Sequence, residues 1–214
     1  MNYLNDSLES IYLFWFDIIY LNIPKYLNLI LTDEIKKKCI IKLCNNEFPI
    51  NNITNILNIE INPNTIICSL NLGIIYPQHF IKEVKKSFKR FPNSVHCISL
   101  MKFKSISFFE YVFINGNIGD LYESIFPVCF KRHFFKNDFI TYLNYLFKNP
   151  CCYDSYDLII CNYLSKYKIQ LRCINRKRLN IGLLKDFSKQ NRLHTNSGLN
   201  IQFIYIYTKV IDLL

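Results

Sequence analysis

Glycine is scarce in this sequence, with only 5 glycines among 214 residues. Isoleucine, asparagine, lysine, phenylalanine and tyrosine are used heavily instead, a bias typical of AT-rich coding sequence. Gly116 and Gly119 form one G-x-x-G pair, next to an Asn-Gly turn signal. Two glycines in a turn are not enough to build a loop that holds a phosphate through its backbone amides. The sequence therefore gives no support for a glycine-rich phosphate-binding loop.

A paired-cysteine metal motif is also lacking. The chain has nine cysteines, an odd number, and none of them form a C-x-x-C pair. The spacing of Cys151, Cys152 and Cys161 does not fit a structural zinc site. Most of the cysteines lie in apolar runs, where a free thiol behaves as a small hydrophobic side chain. These features favour a reducing compartment over a disulfide framework, so we expect a cytoplasmic protein.

The sequence shows neither a cleavable signal nor a membrane span. No basic segment opens the chain, and Asp6 and Glu9 precede the first apolar stretch. That stretch, residues 11–23, is shorter than the roughly 20 apolar residues that a span requires. It also contains Asp17 and Asn22. We therefore expect a protein that does not cross a membrane.

Acidic residues are outnumbered by basic ones, 16 to 26, which gives a formal net charge of +10. This charge permits phosphate-rich partners such as nucleic acid, an anionic membrane or a nucleotide sugar. No RNA-recognition, zinc-finger or helix-turn-helix signature accompanies the charge, so we expect solvated lysines and no specific nucleic-acid site. A nucleotide sugar and a protein both stay open as partners.

The chain does contain the material for one packed domain. Half of its residues are hydrophobic and 16% are aromatic, which suits a buried core. Short β-branched runs alternate with longer segments of helical periodicity, and the apolar end, residues 201–214, predicts a helix packed on the domain. We expect a single α/β domain over residues 1–214.

The clearest unit in the chain is a strand, a turn and a helix. Residues 65–70 form a β-branched run of strand length. Apolar residues recur every four positions from Phe80 to Phe88, with lysines on the other side, which predicts an amphipathic helix over residues 80–89. The turn between them covers residues 71–77.

Residues 64–89 resemble a block found in family-2-type glycosyltransferase-like proteins of the GT-A fold. Residues 19–24, 120–135 and 151–164 resemble further blocks of that family, in the family's order. The resemblance implies an open, twisted, mostly parallel sheet with helices on both faces. It also implies that the family's first strand is missing here, because the chain begins at about the helix that follows that strand.

The resemblance further implies a nucleotide-sugar site at the turn, with a departure at its centre. Where the family has aspartates that hold Mg²⁺ or Mn²⁺ on the diphosphate, this chain has Asn71, Leu72 and Gly73. One neutral amide oxygen is a poor replacement for hard carboxylate ligands, so we expect no metal site, and a divalent ion only if the protein is active. Thr54 is retained, whereas Asn55 replaces a lysine that supplies a charge near the diphosphate. The predicted donor-binding residues are Asn71, Gly73 and Thr54.

A carboxylate pair in the family's last block supplies its catalytic base, and in this chain the pair reads Tyr156 and Asp157. An acceptor hydroxyl loses a proton as it attacks the anomeric carbon, and a carboxylate can take that proton. We predict Asp157 as the base and Glu123 as a residue on the acceptor side. The alternative role is structural, with Asp154, Ser155 and Asp157 capping the positive end of a helix.

Two functions follow from the resemblance. One is a glycosyltransferase-related protein whose nucleotide-sugar-dependent hexosyl transfer is impaired or lost. The other is a pseudoenzyme, a non-catalytic GT-A scaffold that binds a partner. Ser124 and Pro127 replace glycines in a predicted loop where the family's substrate approaches, which adds bulk there. A basic nucleic-acid-binding accessory protein is a third alternative, although the lysines are scattered and form no continuous face.

Overall fold

The computed structural model describes residues 10–11, 16–25, 32–44, 50–70, 74–105, 108–112, 122–148, 156–174 and 182–183. The strands are β1 Ile19–Pro24, β2 Cys39–Cys44, β3 Ile66–Ser69, β4 Ile74–Ile75, β5 Ser94–Ser105, β6 Phe108–Val112, β7 Tyr122–Lys131, β8 Gln170–Cys173 and β9 Gly182–Leu183. The helices are α1 Asp33–Lys38, α2 Asn51–Ile59, α3 Phe80–Arg90, α4 Phe139–Leu146 and α5 Tyr156–Lys166, and a 3-10 turn, Arg132–Phe134, follows β7. This mixture confirms the predicted α/β class.

The largest sheet among the described strands is built around β5 and β7. Strand β7 lies between β3 and β5 and runs antiparallel to both. The other edge of β5 pairs with two strands. Strand β8 runs parallel to residues 94–97 of β5, and strand β6 runs antiparallel to residues 100–105. Strands β3, β5 and β8 therefore run in one direction, and β6 and β7 run in the other.

The expectation of a mostly parallel sheet is corrected to a partly parallel one. Of the six pairings among the described strands, only β1 with β2 and β5 with β8 are parallel. The two-residue connection between β5 and β6 produces a hairpin, and a hairpin is antiparallel. Strand β7 then returns between β3 and β5, which adds two more antiparallel pairings.

The segment predicted as a loop around Ser124 and Pro127 is instead part of strand β7. Between Cys97 and Ser99 on β5, the partner on β7 steps from Val128 to Ile125, so β7 carries one extra residue there. Pro127 lies inside this β-bulge. Proline cannot donate to a strand ladder, and a bulge is one of the few sheet positions that tolerate it. The strand therefore accommodates the proline, and the loop that the resemblance implied here is not present.

The core lies between the sheet and the helices. The apolar face of α3, predicted from its periodicity, is buried at Phe80, Val84 and Phe88. In the sheet, Val95 and Phe130 have no exposed surface. None of the helices in the described ranges has both the length and the apolar character needed to cross a membrane.

Helix α4 begins after Asp138, but the aspartate side chain does not cap it. Its two carboxylate oxygens accept hydrogen bonds from the hydroxyls of Tyr163, at 2.6 Å, and Tyr167. Lys166 Nζ lies 3.5 Å from the same carboxylate. The side chain therefore ties the start of α4 to the end of α5, which makes it unavailable to the backbone amides of its own helix.

The described cysteines are all free, and several lie at the centre of the sheet. Cys68 pairs with Cys129 across β3 and β7, and Cys97 pairs with Cys173 across β5 and β8. Cys97 and Cys129 have no exposed surface, and Cys161 of α5 is 2% exposed. Burial raises the pKa of the Cys129 thiol, and its neighbour Cys68 adds to that effect. These thiols act as small hydrophobic side chains, as the sequence predicted.

Candidate functional site at the carboxyl end of strand β3

Three segments that are far apart in sequence are neighbours in the fold. Strand β3 is hydrogen-bonded to β7 from the pair Ile66 and Lys131 to the pair Ser69 and Val128. Helix α5 packs on β7. These three elements contain the segments that carry the glycosyltransferase resemblance. The candidate site is the part of this group next to the carboxyl end of β3, at Ser69.

Glu123 lies on β7 beyond the carboxyl end of β3. Because the strands are antiparallel and Ser69 is paired with Val128, the earlier residues of β7 continue past the point where β3 stops. The backbone of Glu123 pairs there with Met101 of β5. The bulge at Pro127 bends β7 between these two points, and such bulges often adjoin functional sites. The side chain of Glu123 is outside what the structure describes.

Asp157 lies in the first turn of α5, the helix that packs on β7. The carboxyl-terminal half of α5 lies near the start of β3, because Tyr163 stacks with Phe135 and the nearby Arg132 donates its backbone N–H to Thr65 O. The structure does not describe the Asp157 side chain, so its roles as catalytic base and as helix cap both remain predictions.

The predicted donor-binding residues are only partly within the described chain. Asn71 and Gly73 follow Leu70 directly and fall outside the described residues. Thr54 is half-buried on α2, and its backbone N–H donates to Ile50 O. Its neighbours Ile53 and Ile56 line a cavity, but Thr54 is not among the described lining residues. The structure therefore does not bring Thr54 to that cavity.

A cavity of about 560 Å³ lies between β1 and β3. Residues 16–22 line one side of it and residues 64–70 line the other, while α2 and α3 contribute apolar side chains. Its volume is within the range of small-molecule pockets, roughly 300–1,000 Å³. Leu70, which lines the cavity, directly precedes the turn at which the sequence predicts the nucleotide-sugar site.

The charges of the cavity do not form a site for a divalent ion. Asp17 and Glu60 are the acidic residues in its described lining, and Lys85 is the basic one. Across the described part of the chain, no group of three metal-ligating side chains comes together. Mg²⁺ and Mn²⁺ bind to clusters of oxygen ligands, so these residues do not fit such an ion.

Asn55, which stands where the resemblance expects a lysine, has a structural role. Its Nδ2 donates to Asn22 Oδ1 at 3.3 Å and lies 3.4 Å from Cys44 Sγ. Asn22 is on β1 and Cys44 ends β2, so one side chain of α2 joins both strands. This arrangement holds the helix against the two strands but supplies no positive charge.

Arg132 and His133 hold the turn before β3, a role that no sequence pattern indicated. Arg132 donates from Nε to Glu60 O and from Nη1 to Phe135 O, both at 3.0 Å. His133 Nδ1 donates to Pro63 O at 2.8 Å. A carbonyl oxygen only accepts, so this ring nitrogen carries the proton. Contacts between residues some 70 positions apart leave no periodic signal, and no sequence pattern could have revealed them.

No protein-family model matches the sequence, and no curated protein matches it. The glycosyltransferase resemblance therefore stays a prediction that rests on the residues named above.

Proposed function

We propose that the protein is glycosyltransferase-related, with a GT-A-like sheet, and that it binds a nucleotide sugar but transfers hexose poorly or not at all. One observation carries the proposal: β3, β7 and α5, which contain three blocks of the resemblance, are adjacent in the fold. In open α/β sheets, ligands bind in the crevice outside the carboxyl ends of the strands. The described lining of the cavity includes Ser69, the last residue of β3.

The loss of carboxylates supports an impaired transfer step. The diphosphate of a nucleotide sugar becomes more negative as it leaves, and a divalent ion normally neutralises that charge. Asn71, Leu72 and Gly73 supply no carboxylate at the turn, and no metal-ligating group of three exists elsewhere in the described residues. A protein can keep its affinity for the nucleotide after it has lost catalysis, because binding and transfer depend on different contacts.

If residual transfer occurs, Asp157 is the proposed base and Glu123 the proposed acceptor-side residue. The positive end of α5 favours the ionised form of a carboxylate in its first turn, and only that form can accept a proton. An acceptor hydroxyl between β7 and α5 would then lose its proton to Asp157 as it attacks the sugar. Asn71, Gly73 and Thr54 remain the proposed donor contacts.

Calorimetric titration with uridine and guanosine diphosphate sugars, each with Mn²⁺ and with a chelator, tests this proposal. We expect weak binding that does not require Mn²⁺, with no hydrolysis or transfer. The Asp157→Asn variant should bind as the wild type does, because Asp157 is proposed to act on the acceptor. Mn²⁺-dependent transfer that Asp157→Asn abolishes would show an active enzyme with an unconventional metal site and would overturn the impaired-transfer proposal.

A non-catalytic scaffold is the second candidate, and an exposed strand edge favours it. Strand β2 pairs only with β1 among the described strands. Ile40 is 51% exposed and Leu43 is 59% exposed on β2. An unpaired, apolar edge is a template for another chain. If the folded protein binds none of the nucleotide sugars, this interaction role becomes the better proposal.

A further inference from the structure

Two pairs of cysteines occupy aligned positions on neighbouring strands. Cys97 of β5 is opposite Cys173 of β8, and Cys68 of β3 is opposite Cys129 of β7. Neighbouring strands lie about 4.8 Å apart, and a disulfide requires Cα atoms roughly 4.4–6.8 Å apart. Both pairs therefore have the backbone spacing of a disulfide, while all four thiols are free in the structure.

The sulfur of Cys97 lies next to strand β8. Its Sγ is 3.6 Å from Arg172 O, the carbonyl oxygen directly before Cys173 in the chain. Beyond the pair, Ile174 N donates to Cys97 O at 2.7 Å, which holds the two strands in register. The thiols of Cys97 and Cys173 are also hydrogen-bonded to each other. The two sulfurs are therefore in contact without any change in strand pairing.

The two members of this pair differ in their access to solvent. Cys97 has no exposed surface, whereas Cys173 is half-buried. The inner side of the pair is apolar, because Leu100, Cys161 and Leu171 pack against it. An oxidant in solution can therefore reach Cys173 and cannot reach Cys97 directly.

The surroundings of Cys173 also favour its thiolate form. The hydrogen bond with Cys97 lowers the pKa of the Cys173 thiol, burial opposes this shift, and a backbone hydrogen bond with Leu100 adds to it. In the second pair, burial raises the pKa of the Cys129 thiol, and Cys68 adds to that effect. Because the thiolate is the reactive species, the two pairs differ in reactivity although both have the spacing of a disulfide.

We propose that Cys173 is a site of oxidation by hydroperoxides and that Cys97 is the thiol that resolves it to a disulfide. The Cys173 thiolate attacks one peroxide oxygen, the O–O bond breaks, and Cys173 becomes a sulfenic acid. The leaving oxygen takes up the proton that the Cys173 thiol lost, and departs as water or an alcohol.

The second step forms the disulfide. The sulfur of Cys97 attacks the sulfur of the sulfenic acid, and the S–O bond breaks. The departing hydroxide takes the proton of the Cys97 thiol and leaves as water. The two thiols have then lost two electrons and two protons, and the hydroperoxide has gained them.

This inference does not depend on the proposed nucleotide-sugar binding. It concerns the pairing of β5 with β8, whereas the cavity that would receive the donor is lined by residues of β1 and β3. The experiment below uses no nucleotide sugar. Either proposal can therefore fail while the other holds.

Peptide mapping of the full-length protein, after brief treatment with hydrogen peroxide and alkylation without reduction, tests the inference. Trypsin places Cys97 in residues 91–102 and Cys173 in residues 173–176, each as the single cysteine of its peptide. We expect these two peptides to be joined, and dithiothreitol to separate them. Free Cys173 should disappear at least about tenfold faster than free Cys68, the half-buried thiol of the second pair.

Three serine variants separate the roles of the thiols. In Cys97→Ser the sulfenic acid on Cys173 should persist and react with dimedone, which traps sulfenic acids. In Cys173→Ser, Cys97 should stay reduced, because peroxide does not reach it. Cys68→Ser is the matched control, since it removes a half-buried thiol from the second pair, and it should form the Cys97–Cys173 disulfide as the wild type does.

The wild-type peptide map decides the inference even if a variant does not fold. Equal oxidation rates of Cys173 and Cys68 would overturn it, as would a Cys173 that stays reduced. A disulfide between Cys173 and a different cysteine would also overturn it. So would a Cys97–Cys173 disulfide that forms only in urea, since the folded sheet would then not be what joins the two thiols.

Discussion

His96 is a fully buried imidazole whose two ring nitrogens are both hydrogen-bonded. Nε2 lies 3.1 Å from Phe91 O, and Nδ1 lies 2.8 Å from Ser87 Oγ. Because a carbonyl oxygen only accepts, Nε2 carries the proton and Nδ1 accepts from the serine hydroxyl. The ring also packs edge-on against Phe88, with centroids 4.3 Å apart. Both nitrogens of the neutral ring therefore have hydrogen-bond partners. A second proton, on Nδ1, would break the bond that the serine hydroxyl donates to it.

We predict that His96 makes the protein less stable in mild acid. Burial lowers its pKa to about 4; the hydrogen bond to Phe91 opposes the shift and the charge of Arg172 adds to it. In the unfolded chain the pKa returns to about 6.5, so between pH 6.5 and 4 the unfolded state binds a proton that the folded state does not. The free energy of unfolding should fall by about 3 kcal/mol as pH drops through this window.

Urea unfolding at pH 7 and pH 4 measures this effect. The His96→Gln variant should lose most of the decrease that the wild type shows. Replacing the exposed His79 with Gln provides the matched control and should leave the decrease unchanged. If His96→Gln and the wild type lose the same stability, the pH dependence comes from other groups.

At the scale of elements, α5 is fixed at its carboxyl end by two sets of contacts. Lys168 adopts a left-handed conformation with φ of 56°, and the N–H of Ile169 donates to Leu164 O at 3.0 Å. With the bond from Lys168 N to Ser165 O, this is a Schellman motif that ends the helix and turns the chain into β8. The tyrosines bound to Asp138 fix the same end to α4.

We predict that the hydroxyl of Tyr163 stabilises this junction more than that of Tyr167. Tyr163 is fully buried, donates to Asp138 and also accepts from Lys136 N at 3.1 Å. Tyr163→Phe would remove both the acceptor of the Lys136 amide and a donor to Asp138, which should cost about 1–3 kcal/mol of unfolding free energy. Tyr167→Phe removes one donor from a half-exposed carboxylate and should cost less. Thermal unfolding of both variants, with Tyr145→Phe as the exposed control, measures the difference, and equal losses would contradict it.

The hydrogen bonds of the two tyrosines and the Lys166 charge lower the pKa of Asp138. A lowered carboxyl pKa contributes stability above its unfolded value and loses it as pH falls through the folded value. The junction should therefore weaken only below about pH 4, in the same direction as the His96 effect but at lower pH.

The elements with a clear local signal could be predicted from the sequence. The four-residue repeat gave residues 80–89, against the observed Phe80–Arg90, because one face of that helix is packed. The lysine run at residues 36–38 predicts a solvated basic turn before a strand, but in the structure these residues belong to helix α1. Its start is fixed by Thr32, whose side chain accepts from Ile35 N, and its end by a Lys38–Glu34 pair at 2.6 Å.

At the scale of the whole molecule, the pairing of strands could not be predicted. The order of β3, β7 and β5 depends on contacts between residues 20 or more positions apart, which no periodicity records. For the same reason the cavity between β1 and β3 was not foreseen. Asn71 and Gly73 lie outside the described residues, so their role stays a prediction.

We predict that the edge of β2 drives self-association at high protein concentration. Ile40 and Leu43 expose apolar surface on β2, which pairs only with β1 among the described strands. Ile40→Lys should weaken association at least about tenfold, since burying one such side chain contributes roughly 1.5–3 kcal/mol. Sedimentation velocity over a concentration series measures it.

Ile61 offers the matched control for this prediction. It is 90% exposed but lies outside β2, so Ile61→Lys changes charge and apolar surface without touching the strand edge. The two variants should therefore differ. A wild-type protein that stays monomeric throughout the series would contradict the prediction, and equal effects of the two variants would assign the association to another surface.

The buried thiols at the centre of the sheet can be used to detect separation of its strands. Cys97 and Cys129 have no surface in the folded state, so a thiol-reactive reagent can reach them only when strands separate. The raised pKa of Cys129 slows its reaction further until that moment. Half-buried Cys44 lies on a separate strand pair, so the order in which labels appear would report which sheet opens first.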